Sequence, residues 1–174
     1  MKEEFVILVN ENDVETGIME KMQAHKEGKL HRAFSVFILN EKNEMLLQKR
    51  AAHKYHSAGL WSNACCSHPR PKEETVLAAV RRLDEEIGLR DCKLEHAFSF
   101  LYKTSLENGL SEHEFDHVFI GRSNQAPQLN FDEASEIKYI ALDALELDMI
   151  ENSDQYSYWF KKAMPDLLNY LNSQ

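Results

Sequence analysis

The stretch from Glu73 to Ile87 most narrows what this chain can become. Val76, Val80, Leu83 and Ile87 recur at intervals of four, three and four residues, the repeat that lines one face of an α-helix. Glu73 and Glu74 stand where the positive end of the helix dipole favours acid, and Gly88 follows as a stop. A helix that is apolar on one face needs a layer to cover it. Arg82 and Glu86 share a face of this helix, a pairing that contributes little when it lies on a surface.

The rest of the pattern is mostly strands. Phe5 to Val9 is a short apolar run closed by a polar turn, and Ala33 to Leu39 and Met45 to Lys49 flank the polar loop Asn40–Glu44 as a hairpin. Lys93 to Thr104 alternates, with Leu94, His96, Phe98, Phe100 and Tyr102 expected on one face. Glu107–Gly109 signals a turn. Glu112 to Ile120 then alternates again, setting Glu112, Glu114 and Asp116 on one face and His113, Phe115, His117 and Phe119 on the other. Three carboxylates in a row ordinarily face water. If they face inward they need a cation or protons. Glu136 to Ala141 reads as a last strand, Leu142 to Ile150 as a short helix, and Asn152 to Gln174 as helix broken near Pro165. Its aromatics Tyr156, Tyr158, Trp159 and Phe160 are expected in the core. Gly17 to His31 shows no dominant period and reads as irregular; His25 and His31 within it are surface residues or two ligands of one ion. Arg50 to Gly59 reads as a solvated basic loop, or one that meets an anion.

Trp61 to Pro69 carries the densest chemistry, a thiol, an imidazole, a hydroxyl and an indole within nine residues. It is too polar for a core strand and reads as a loop ended by Pro69. A thiol two residues from a histidine suggests an acid/base pair or a metal corner, against the plainer reading of two small buried cysteines. With three cysteines in all, reduced thiols in a cytoplasmic setting are the simpler expectation, with Cys65 and Cys92 structural. A net charge of -9 argues against non-specific nucleic-acid binding. No apolar run approaches the ~18 residues of a membrane span, and Met1 to Asn10 lacks the features of a signal peptide. No repeat or linker appears, so residues 1–174 are expected to form one domain. Oligomeric state is open.

Ser67 to Leu89 resembles a degenerate Nudix box. Glu73, Arg81, Leu83, Glu85, Glu86, Gly88 and Leu89 match at full spacing, Ser67 takes the place of a glycine, and Arg82 replaces the first glutamate of the catalytic helix. Together with Asn63–Pro69 (NACCSHP), the Glu112-His113-Glu114 run, His25 and His31, the chain from Val6 to Ala163 is similar to type I isopentenyl-diphosphate delta-isomerases.

That resemblance implies an α/β fold, a Nudix-type α/β/α sandwich with a mixed β-sheet. It implies a 1,3-proton shift on a small prenyl diphosphate, with Cys66 and Glu114 as acid/base partners on opposite faces of the carbon chain and Tyr102 tuning Glu114. Lys21, Arg50, Lys54 and Arg82 would hold the diphosphate, and Trp159 would face the cationic carbon. His25, His31, His68, Glu112 and Glu114 would bind Mn2+, Zn2+ or Mg2+, and Glu86 a second, substrate-bound Mg2+. The alternatives are a Nudix hydrolase acting on a nucleoside or prenyl diphosphate, and a binding module without catalysis. The loss of a carboxylate at Arg82 argues against the hydrolase.

Overall fold

A computed structural model describes residues 4–174; the first three residues of the stretch read as lacking a leader lie outside it. Nine strands form a mixed sheet around β3 (His31–Leu39). β1 (Phe5–Val9), β4 (Glu44–Arg50) and the three-residue β6 (Cys65–Ser67) pair with β3 antiparallel. β8 (Ser111–Arg122) pairs with it in parallel. β7 (Leu94–Ser105) lies against β8, β9 (Ala134–Ala141) and β5 (Trp61–Ser62) against β4, and β2 (Glu15–Glu20) against β1. β3 is buried along nearly its whole length, as a central strand with an apolar run should be.

Two apolar layers cover the sheet. On one face α2 (Thr75–Ile87) packs Ala78, Ala79, Leu83 and Ile87 against Phe34, Val36, Ile38, Leu46 and Phe119. On the other, α3 (Leu142–Glu151) and α4 (Tyr158–Asn172) pack Leu145, Phe160, Met164 and Leu167 against Phe37, Leu39, Leu47 and Val118. This is the α/β/α arrangement expected from the sequence. Val80 is not in the buried set, whereas Ala78, Ala79 and Glu86 of the same helix are. Gly88 ends α2 at φ 63°, and a Cβ there would meet Gln128 Cβ at 2.8 Å. None of the described helices is long and apolar enough to cross a membrane.

Four local expectations need correction. Gly17 to His31 is ordered, comprising β2 and α1 (Lys21–Glu27), a helix of seven residues. It is too short to show a period, and it is capped by the Glu20 carboxylate, which accepts from Met22 N and Gln23 N, rather than by a usual capping residue. Trp61 to Pro69 is not simply a loop, since β5 and β6 join the sheet in it. β7 does not keep one face, because the register shifts between His96 and Phe98. Phe98, Phe100 and Tyr102 stay with the carboxylate face of β8, while His96 falls opposite Phe119. α4 runs through Pro165 unbroken. Pro165 lies on the exposed side, where water can satisfy the carbonyl its ring leaves without a donor.

Candidate active site and metal centre

Register places the reactive groups. Pairing of β3 with β6 sets Cys66 opposite Ser35, and pairing of β3 with β8 sets Glu114 beside His31. β7 brings Tyr102 opposite Glu114. The carboxylates of β8 face inward: Glu112 is 3% exposed, Glu114 6% and Asp116 1%. A cleft of ≈ 610 Å³, mouth included, is lined by Cys66, Ser67, Tyr102, Glu112, Glu114 and Trp159, and by the cations Lys21, Arg50, Lys54 and Arg82. Cys66 and Glu114 therefore open on one cleft.

The Tyr102 hydroxyl donates to Glu114 Oε2 at 2.6 Å and is 2.9 Å from Glu112 Oε2. Burial, with the two carboxylates beside it, pushes the phenol well above its usual pKa, so it stays a donor. Burial also pushes the Cys66 thiol up to about 12, opposed by Arg50. Burial raises the Glu112 carboxyl, and Glu114 adds to the rise. Burial works the same way on Glu114, but contacts from His31 and His68 outweigh it and hold this carboxyl low.

The basic residues line the same cleft. Lys21 opens α1, reaches Glu4 at 2.9 Å and stands over the Tyr55 ring. Lys54 pairs with Glu133, and Arg82 reaches Glu133 at 3.2 Å. Arg82 also binds Glu86 at 2.7 Å; Gln48 Nε2 at 2.9 Å and the Cys65 thiol at 3.3 Å complete the surroundings of this buried carboxylate. Arg82 and Glu86 are thus not a loose surface pair. Arg50 lies against Trp159, its guanidinium 5.1 Å from the ring. Cys65 and Cys92 are buried and unpaired, as structural cysteines should be.

His25, His31, His68 and Glu114 place ligand atoms within 4.8 Å of one another, an arrangement that could hold a metal ion. His25 Nδ1 lies 2.7 Å from the Lys21 carbonyl and His31 Nδ1 2.8 Å from the Lys29 carbonyl. Those carbonyls can only accept, so both Nδ1 atoms carry the proton and both Nε2 atoms present lone pairs. His31 Nε2 is 3.1 Å from His68 Nε2 and 3.5 Å from Glu114 Oε1, and His68 Nε2 is 3.0 Å from the same oxygen. His25 Nε2 is buried with no partner at all. Burial keeps His68 neutral, with its pKa lowered to about 3. His68 Nε2–H can donate to Glu114, and with that proton displaced the three imidazole nitrogens and the carboxylate form a donor set that fits a divalent ion. Glu112, the fifth ligand expected, stands next to this group through Tyr102 and forms a second one with His25 and His56.

Sequence reasoning missed several of these partners. His56 is 5% exposed and lies in the segment read as a solvated loop. Gln48 and Glu133 support Glu86, Lys54 and Arg82 without any local signal in their neighbours. Asp116 accepts from Ser35 Oγ at 2.8 Å beneath the cavity; only its place on the carboxylate face of β8 pointed to it.

The NUDIX domain family matches residues 29–160. Solved structures share the fold: a Deinococcus radiodurans protein superposes with a TM-score of 0.71 at 17% identity, covering 86% of this chain and 90% of that one. The MutT protein from Methanosarcina mazei Go1 does so with a TM-score of 0.64 at 18% identity, covering 83% and 94%. Two isopentenyl-diphosphate Delta-isomerases of Aromatoleum aromaticum are much closer in sequence. One is 54% identical over 93% of this chain and 91% of its own length, and the other 50% identical over 96% and 88%. The isopentenyl-diphosphate Delta-isomerase of Pectobacterium atrosepticum is 49% identical over 95% and 92%. On the strength of that likeness, end to end and carried on a NUDIX domain, the chain belongs to the isopentenyl-diphosphate Delta-isomerase family.

Proposed function

We propose that this protein interconverts isopentenyl diphosphate and dimethylallyl diphosphate by a metal-dependent proton shift. The observation that carries the reading is the shared cavity of Cys66 and Glu114, whose walls bear four cations. The diphosphate would lie against Lys21, Arg50, Lys54 and Arg82, and the carbon chain between the thiol and the carboxyl.

The terminal alkene carbon takes a proton and forms a new C–H bond, leaving a tertiary cation. The carbon toward the diphosphate then gives up a proton, and its C–H electrons become the new double bond. Cys66 and Glu114 serve as the two proton-transferring groups. Proton transfer by a placed side chain accounts for roughly 10²–10⁴ in rate. A thiol with its pKa raised to about 12 holds its proton, while the Glu114 carboxyl, held low by His31 and His68, is placed to accept one. Trp159, buried at the cavity wall, is placed to favour positive charge.

His25, His31, His68, Glu112 and Glu114 would hold Mn2+, Zn2+ or Mg2+. Such an ion would fix the Glu114 carboxylate and offset the buried negative charge, while a substrate-borne Mg2+ beside Glu86 would neutralise diphosphate oxygens. Arg82 works against hydrolysis: it engages Glu85 at 2.9 Å and Glu86 at 2.7 Å, where a hydrolase needs free carboxylates.

Proton NMR of isopentenyl diphosphate with metal-loaded protein tests the reading. The dimethylallyl methyl signals should grow while phosphorus spectra keep the diphosphate intact. Growth of free phosphate or pyrophosphate in their place would remove it.

A further inference from the structure

His56 lies outside the five ligands that the family resemblance supplies, yet the fold carries it to the same place. Its Nε2 is 3.3 Å from Glu112 Oε1, and His25, His56 and Glu112 bring ligand atoms within 4.8 Å of one another. Metal bonds to imidazole nitrogen and carboxylate oxygen run about 2.0–2.2 Å, so neighbouring donors on one ion stand about 3 Å apart. The His56–Glu112 spacing matches that, as do the separations of 3.0, 3.1 and 3.5 Å among His31, His68 and Glu114.

His25 links the two groups. Its Nδ1 is engaged by the Lys21 carbonyl at 2.7 Å, so Nε2, buried and unpartnered, is the donor it offers to both. One sp² nitrogen carries one lone pair and binds one ion. His25 is thus the donor common to both groups, and His56 stands beside Glu112, the carboxylate expected to complete the first.

We propose that His56 is a sixth protein ligand of this metal centre, making four imidazoles and two carboxylates. The inference rests on the metal-centre reading given above and extends it. The loop holds His56 in place: Arg50 Nη2 donates to its carbonyl at 3.2 Å, and its ring meets Trp159 edge-on at a centroid distance of 5.8 Å. Arg50 and Trp159 both line the cavity. Six protein donors leave no position for water, which is the character of a structural ion rather than one that activates a nucleophile. Four imidazoles also favour zinc, cobalt or nickel over magnesium.

The test uses the full chain loaded with one equivalent of Co2+ or Zn2+, read by X-ray absorption, and with Mn2+, read by water-proton relaxation. Wild-type protein should show four imidazoles and no metal-bound water. His56→Ala should show three imidazoles and one bound water, with Zn2+ affinity at least ~10-fold weaker. His56→Gln, which retains a side-chain hydrogen bond toward Glu112, should also lose one imidazole. Three imidazoles in wild type, or no change in either variant, would overturn the inference. So would full affinity in His56→Gln with the imidazole count unchanged, since the ring would then only orient Glu112. If a variant misfolds by circular dichroism, the wild-type imidazole and water counts decide alone. Isomerisation by wild type measured in parallel separates the levels. Activity with three imidazoles sinks His56 as a ligand and leaves the function standing; tight six-donor binding without isomerisation sinks the function and leaves the ligand.

Discussion

Tyr102 donates to Glu114 at 2.6 Å from a strand whose register sets the two residues directly opposite. The phenol is the only hydrogen-bond donor within the described residues that reaches both Glu112 and Glu114. Hydrogen bonds to charged groups contribute about 1.5–3 kcal/mol. Tyr102→Phe should therefore lower kcat by roughly 10–100-fold with little change in KM, because the bond acts on a proton-transferring group rather than on the diphosphate. Steady-state kinetics of the variant checks this; a change confined to KM would contradict it.

Arg82 should matter for stability as well as for binding. Its partner Glu86 is 3% exposed, and removing one member of a buried pair leaves charge without compensation. Arg82→Ala should cost about 3 kcal/mol, with the Gln48 bond limiting the loss. Urea denaturation measures it, and KM for the diphosphate should rise in the same variant. A midpoint equal to wild type would show that the pair is a solvated surface contact.

Much of this was legible in the sequence, and what was not has identifiable causes. The spacing Val76–Ile87 located α2, and strict alternation from Glu112 located β8 with its two faces. Alternation could not say which face of β8 looks inward, because the elements that cover it, α1 and α4, are remote in sequence. α1 escaped notice because seven residues hold less than two turns' worth of pattern. The Ala97 bulge moved His96 off the Tyr102 face, and a single inserted residue leaves no compositional trace. Pro165 misled because its effect depends on whether the freed carbonyl meets water. His56 looked like one more polar loop residue; its burial depends on Glu112 and Trp159, which lie far from it in sequence and leave no local pattern.

The Cys66 thiol should react slowly with alkylating agents in metal-free protein. Burial raises its pKa to about 12, so the thiolate, the reactive form, is scarcer than in a free cysteine at every pH below that value. The rate of iodoacetamide labelling at Cys66, followed by peptide mass spectrometry, should stay below that of a model thiol from pH 7 to pH 9 and climb steadily above it. A plateau reached below pH 8 would mean that the group is already ionised.

Metal loading should stabilise the fold. His25, His31 and His68 come from α1, β3 and the turn after β6, so one ion ties the short helix to two strands of the sheet. Binding to the native state alone adds about 2.7 kcal/mol at a free ion concentration a hundred times Kd. Tm by differential scanning calorimetry should rise on adding Mn2+ or Zn2+ to chelator-treated protein, and His25→Ala should abolish the rise. An equal Tm with and without ion would place the donors too far from a working site.

Deuterium uptake tests the central claim, that a thiol and a carboxyl act on one carbon chain between them. Isopentenyl diphosphate is incubated with metal-loaded protein in D2O and both five-carbon diphosphates are weighed by mass spectrometry. The account predicts deuterium in both, no phosphate released, and loss of uptake by ~10²-fold or more in Cys66→Ala and in Glu114→Gln. Uptake that persists at the wild-type rate in either variant would contradict it.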